Sequence, residues 1–252
     1  MTKTKGKFIT LEGIDGAGKT TLVSELGNIL SLNGVPHITV ETAKGTEFAK
    51  QLVKLIIETE AKETLGSHVS ALLFMAAKRQ VYDTVIKPAL DKGIWVICDR
   101  FYDSSLAYHG FAVNNESFIE AFPNLKEFCF DHRHPDITFV LDIPVAVSAS
   151  RLKKRGDLNI YDQKDDVYKN NMRQGYLQMA KHEPERFKVI NADRKLHDIV
   201  QEIMTHLICR NDKSKRSDNF LNHDITQEII PHLICRNDKL KRNDNFLNFE
   251  RV

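Results

Sequence analysis

Cysteine is scarce. Cys98, Cys129, Cys209 and Cys235 are the only four in 252 residues, and no Cys-x-x-Cys pair occurs. That excludes a disulfide-stapled secreted module and reads as reduced thiols of a cytoplasmic protein. Cys129, His132 and His134 lie close together, but their spacing matches no standard zinc pattern. No apolar run approaches the roughly 20 residues of a membrane span, and the amino terminus carries charge without a signal-type apolar core. An excess of one charge is also missing. Thirty-six basic against 34 acidic residues leave a formal charge of +2, so neither nucleic acid nor a membrane surface is expected as a partner. Basic residues crowd only at Lys3, Lys5 and Lys7, at Arg151 to Arg155, and in the carboxyl-terminal stretch.

What is present suits an enzyme core. The apolar fraction of 42% supports one α/β domain plus a modest extension. The expected division is a domain over 1–208 and a polar tail over 209–252. His197–Asn222 and His223–Asn248 are near copies that differ only at Val200/Thr226, Met204/Ile230, Thr205/Pro231, Ser214/Leu240 and Ser217/Asn243. Two copies do not make a solenoid. Pro231 interrupts the second helix, so the tail reads as a tolerated duplication with a mobile end.

The organising stretch is Gly13-Ile14-Asp15-Gly16-Ala17-Gly18-Lys19-Thr20, followed by Thr21. It satisfies the phosphate-loop spacing G-x-x-x-x-G-K-[ST]. Phe8 to Leu11 before it reads as a buried strand. Leu22, Val23, Leu26, Ile29 and Leu30 after it recur at helical spacing. Glycines let backbone N–H groups approach phosphate oxygens, and the helix N-terminus adds partial positive charge. Lys19 is expected to reach the outer phosphates of a nucleotide, and the Thr20 hydroxyl to ligate Mg²⁺.

Further strands are expected at 36–40, 94–98, 136–142 and 187–190, separated by helices. These include an amphipathic helix over 48–58 with Phe48, Leu52, Leu55 and Ile56 inward, one or two within 64–90, and others at 145–155, 167–181 and 197–207. The fold class is therefore α/β, a doubly wound five-stranded parallel sheet with helices on both faces and a lid segment after Gly156. Asp99-Arg100 ends the strand expected at the centre. Asp99 there can hold Mg²⁺, and a planar Arg100 suits a phosphate acceptor. Arg151 and Arg155, four apart, share a helix face and can point at one ligand, where cations stabilise charge on a moving phosphoryl group.

The phosphate loop, the segment Asp99-Arg100-Phe101-Tyr102-Asp103-Ser104-Ser105-Leu106-Ala107-Tyr108-His109-Gly110 and the basic lid together resemble the thymidylate kinase family, over about Lys7 to Leu207. The resemblance implies transfer of the ATP γ-phosphoryl group to dTMP with Mg²⁺, and a homodimer. It implies that Asp15 meets the acceptor 3′-hydroxyl, Phe74 stacks on thymine, Arg100 binds the acceptor phosphate, Ser105 lies near the base and Tyr108 lies under the deoxyribose.

This chain also departs from the family. Glu41-Thr42-Ala43-Lys44-Gly45-Thr46 replaces an Arg-Glu-Pro-Gly-Gly-Thr loop, and Val53 with Lys54 stands where an arginine is usual. Lys78, followed by Arg79, stands for the arginine after the stacking ring. His109 replaces glutamine, and Ile160 replaces a lid arginine. The alternatives that follow are another P-loop kinase with a different nucleoside monophosphate or deoxynucleoside acceptor, or a nucleotide-binding protein with weakened transfer.

Overall fold

The structure, a computed structural model, describes residues 6–209; the readings of the repeated tail lie outside the described residues. The chain divides into two compact units, the second starting at Lys195. In the first unit five strands form one parallel sheet. They are β1 (Phe8–Glu12), β2 (His37–Glu41), β3 (Trp95–Asp99), β4 (Ile137–Asp142) and β5 (Phe187–Asn191), in the order β2-β3-β1-β4-β5. The strand ending in Asp99 is thus β1's neighbour, and β1 holds the centre. Successive strand residues point to opposite faces. All of β1 is buried, so both faces of the sheet are covered, as parallel sheets require.

The helices cross between strands as the periodicity predicts. They are α1 (Lys19–Leu32), α2 (Glu47–Glu60), α3 (Ser67–Val81), α4 (Lys87–Asp91), α5 (Tyr102–Leu106), α6 (Glu116–Phe130), α7 (Val145–Arg155) and α8 (Asp166–His182); α9 (Leu196–Cys209) belongs to the second unit. Two π-helical turns, Tyr82–Ile86 and Ala107–Phe111, extend α3 and α5. Thr46 caps α2 by accepting from the Ala49 N–H.

Two expectations need correction. Phe48 and Leu55 on α2 are 53% and 56% exposed, while Ala49 and Ile56 are fully buried. The buried stripe is rotated from the one the largest side chains suggest. Helix α6 had no counterpart in the sequence reading, because Pro123 lies inside it. It takes its start from the Asn115 side chain, which accepts from the Phe118 N–H. Cys129 lies on α6, and His132 and His134 pair with Glu127. One core cluster joins β3 to α3 and α6 through Val96 and Cys98 on β3, Met75 and Val81 on α3, and Phe122 and Phe130 on α6, with Phe101 among them. It anchors α3 behind the carboxyl edge of the sheet.

Candidate active site

The loop after β1 turns on three glycines with positive φ, Gly13 (136°), Gly16 (77°) and Gly18 (94°). At Gly13 a Cβ would lie 2.6 Å from the Leu141 carbonyl oxygen, so the loop is pressed against β4 where no side chain fits. Gly18 caps α1, leaving that helix's first N–H groups facing the loop. Lys19 Nζ bends back across the loop to the carbonyls of Gly13 and Ile14 at 3.1 and 2.8 Å. Burial and the nearby Arg100 charge lower its pKa to about 8.

Register places Asp99 beside Leu11 on one side and Glu41 on the other. The Thr20 hydroxyl donates to Asp99 Oδ2 at 2.8 Å. A hydroxyl and a carboxylate, both hard oxygen ligands, therefore meet at the mouth of the loop. Two protein oxygens with phosphates and water completing the shell suit Mg²⁺.

Arg100 follows at φ 63°. Its Nη2 donates to Asp15 Oδ1 at 2.5 Å, and its Nη1 donates to the Gly13 carbonyl at 2.9 Å. The Tyr108 hydroxyl donates to Asp15 Oδ2 at 2.6 Å, and the guanidinium lies 5.2 Å over the Tyr108 ring. Burial works against the Asp15 charge, but Arg100, Lys19 and the Tyr108 hydroxyl outweigh it and hold the carboxyl at about 2.

Beneath this sits Glu12, fully buried at the end of β1. It accepts from the Phe101 N–H at 2.7 Å, the Ser104 hydroxyl at 2.6 Å and the Tyr176 hydroxyl at 3.0 Å. Ser104 and Tyr176 in turn accept from Arg100 Nη1. Glu12 thus props the turn that aims Arg100. Burial, and then the Asp103 charge, raise its pKa.

A second group lines the α3 side. Ser70, Phe74 and Lys78, four apart, share one face of α3. The Lys78 ammonium lies 5.1 Å over the Phe74 ring, and His109 packs on that ring at 5.5 Å between centroids. Burial, with the repulsion of Arg100, lowers Lys78 to about 8. Burial and Lys78 lower His109 to about 3, so its imidazole is neutral. The Ser105 hydroxyl is buried with no hydrogen-bond partner, leaving one polar atom to satisfy.

The structure thus brings together Lys19, Thr20, Asp99, Asp15, Arg100 and Tyr108, and separately Phe74, Lys78 and His109. Two expectations do not hold in the form stated. Arg79 turns to Asp83, Asp131 and the Cys129 carbonyl, an outer ion-pair cluster, because one residue beyond Lys78 is about 100° around the helix. Arg155 bonds Asp162 at 2.5 Å and the Asp157 carbonyl, inside the lid segment. Arg151 instead reaches the Gly16 carbonyl at 3.4 Å, the Ala192 carbonyl at 3.0 Å and Asp193 at 3.6 Å. The two arginines share a face but not a ligand. In the departed loop, Lys44 pairs with Glu41, Thr42 donates to the Arg100 carbonyl, and Val53 packs on the core.

The sequence reading missed Glu12, Ser104, Tyr176 and Tyr161. Glu12 had a visible signal, a carboxylate ending an apolar run beside Gly13. Tyr176 and Tyr161 are assigned only by tertiary packing.

A phosphate loop, a Thr–Asp pair at its mouth and an acid-held arginine on one edge of a five-stranded parallel sheet fit a P-loop kinase of nucleoside monophosphates. The thymidylate kinase family model matches residues 11–203. A thymidylate kinase of Buchnera aphidicola is 36% identical over 214 residues, covering 82% of this chain and 99% of the relative. That of Fervidobacterium nodosum is 38% identical over 197 residues, covering 78% and 96%. The crystal structure of the Ehrlichia chaffeensis thymidylate kinase superposes with a TM-score of 0.62 at 28% identity, covering 81% and 99%. The chain belongs to the thymidylate kinase family, whose reaction is ATP-dependent phosphorylation of dTMP to dTDP. Among the described residues no helix is long and apolar enough to cross a membrane.

Proposed function

We propose that this chain performs the family's reaction with two nucleotides meeting end to end over the phosphate loop. The observation that carries this reading is that the Thr20–Asp99 pair and the Asp15–Arg100–Tyr108 group flank one loop, where the Gly13 carbonyl accepts from both Lys19 and Arg100. The loop amides at Gly13 to Thr21 and the Lys19 ammonium hold the ATP phosphates. Thr20 and Asp99 are the residues that would hold Mg²⁺, which supplies charge neutralisation on the phosphates when bound. Arg100 grips the acceptor phosphate, whose oxygen is already anionic and needs no strong general base. Asp15, freed in part from Arg100, accepts from the sugar 3′-hydroxyl. Phe74 offers a ring face to the base, Tyr108 closes the sugar side, and Ser105, Lys78 and neutral His109 supply polar groups for the base edge. Arg151, at the loop, is the lid-side cation; Arg155 acts through the lid.

The test is ADP release with dTMP, dUMP, dCMP and dGMP side by side. dTMP is expected to give the highest kcat/KM, and another base ranking above it overturns the assignment. The kinase domain is taken as 1–208, the site of action as the cytoplasm, and the active form as a homodimer. Phe48 and Leu55 on α2 and Val69 and Leu72 on α3 are exposed apolar side chains on helices that pack together, a suitable face for a second copy. Light scattering at micromolar concentration decides between monomer and dimer.

A further inference from the structure

We infer that Tyr161 is a positioning residue that couples occupancy of the acceptor pocket to the placement of Arg151 at the donor loop. The inference rests on the acceptor reading above and extends it to a residue that reading does not use. Tyr161 lies in the segment between α7 and α8, yet its ring packs edge-on against Phe74 at 6.1 Å and Tyr108 at 5.6 Å between centroids. Those rings come from α3 and from the π-helical turn after α5, and among the described residues no other ring pairs with both of them. The Tyr161 hydroxyl is buried beside Ser70 and Glu60, which are bonded to each other at 2.8 Å. One lid side chain therefore spans the pocket from its sugar side to the start of α3.

The next residue carries the connection onward. The Asp162 side chain is fully buried. It accepts from Arg155 Nη2 at 2.5 Å and from the Asn159 N–H at 3.0 Å. The Asn159 side chain accepts from the N–H groups of Tyr161 and Asp162 at 2.8 and 3.0 Å, so the ring and the carboxylate move as one piece. Arg155 is one helical turn from Arg151 on α7, and Arg151 touches the phosphate loop at the Gly16 carbonyl. The route from pocket to loop is thus ring contact, an ion pair between buried Asp162 and half-exposed Arg155, then one turn of helix. The ring contact is packed and the ion pair is charge-assisted, with its carboxylate fully buried. An acceptor nucleotide that fills the space beside Phe74 and Tyr108 bears on Tyr161 and, through Asp162 and Arg155, sets where Arg151 stands for the donor phosphates.

The test is calorimetric titration of a non-hydrolysable ATP analogue into the whole chain, without and with saturating dTMP. The wild type is expected to bind the analogue about fivefold or more tightly with dTMP present, the lower end of ordinary coupling. Tyr161→Ala and Tyr161→Leu are expected to bring that ratio to about 1, and Tyr161→Phe, which keeps the ring, to preserve it. Asp162→Asn is expected to lose the coupling as well, with the tyrosine in place. Tyr161→Leu and Asp162→Asn decide the matter if Tyr161→Ala does not fold. Full coupling in Tyr161→Leu, or in Asp162→Asn, overturns the inference, and so does a wild-type ratio of 1 with dTMP bound. Failure of dTMP to bind the wild type overturns the acceptor reading and this inference together.

Discussion

In the proposed reading, the groups at the donor end of the cleft are mostly backbone, drawn from nine consecutive residues between a strand and a helix. At the acceptor end they are side chains from the loop after β1, from α3, from the turn after β3 and from the lid. The donor end is set by glycine stereochemistry and by pressure against β4. The acceptor end is set by a balance of buried charges, with Asp15 against Arg100 and Glu12 beneath both. Backbone cradles tolerate little and change little. Side-chain pockets can lose one contact and keep the rest, which is how the chain carries Val53, Lys78, His109 and Ile160 within an intact fold.

That contrast predicts where substitutions act. The largest effect is expected for Lys19→Ala, about a 10³-fold loss of kcat with a small change in KM for dTMP, read by steady-state kinetics. A comparable rise in dTMP KM would show that the ends are not separable. Gly13→Ala is expected to cost about 3 kcal/mol in urea unfolding, because the new Cβ meets a backbone oxygen and the φ disfavours any L side chain; a cost below about 1 kcal/mol would mean the loop slides freely on β4. Asp15→Asn removes one charge-assisted hydrogen bond and is expected to raise KM for dTMP about 10- to 100-fold, with ATP binding less affected.

pH sharpens the comparison further. Lys19 is a base whose pKa is lowered to about 8, so its cation is lost as pH rises, and kcat/KM for ATP is expected to fall above pH 8. Lys78, also at about 8, should make dTMP binding weaken above pH 8, and Lys78→Met should remove that pH dependence from the dTMP Kd while leaving the Lys19 limb in kcat. His109 stays neutral down to about 3, so no limb belongs to it near 6.5. A limb there that vanishes in His109→Gln would contradict the buried, neutral imidazole. The smallest effect is expected for Arg79→Ala, since partly exposed pairs contribute about 1 kcal/mol or less. Its kcat and dTMP KM should match the wild type, and a raised KM would return Arg79 to the pocket.

The same contrast explains what could be read in advance. The strand, glycine loop and helix were legible because the signal is local, and the parallel order follows from alternating strands and helices. Asp99 and Arg100 were legible because a strand end fixes where the next residues emerge. Arg155 was misplaced because spacing tells which face of a helix a residue occupies, not which partner waits there; Asp162 was that partner. Phe48 and Leu55 are exposed because side-chain size does not decide which face of an amphipathic helix is buried. Tyr161 and Tyr176 lie in polar stretches far from the residues they touch, so only packing reveals them.

One consequence follows from the pairing of Arg100 with Asp15. Each already neutralises much of the other's field, so Arg100 is not a free cation for passing anions. Free phosphate or sulfate would have to break that pair while bringing neither a sugar hydroxyl for Asp15 nor a base for Phe74. The enzyme should therefore work in a phosphate-rich medium with little inhibition by the bare ion, and a true nucleotide should be distinguished by having groups for both partners at once.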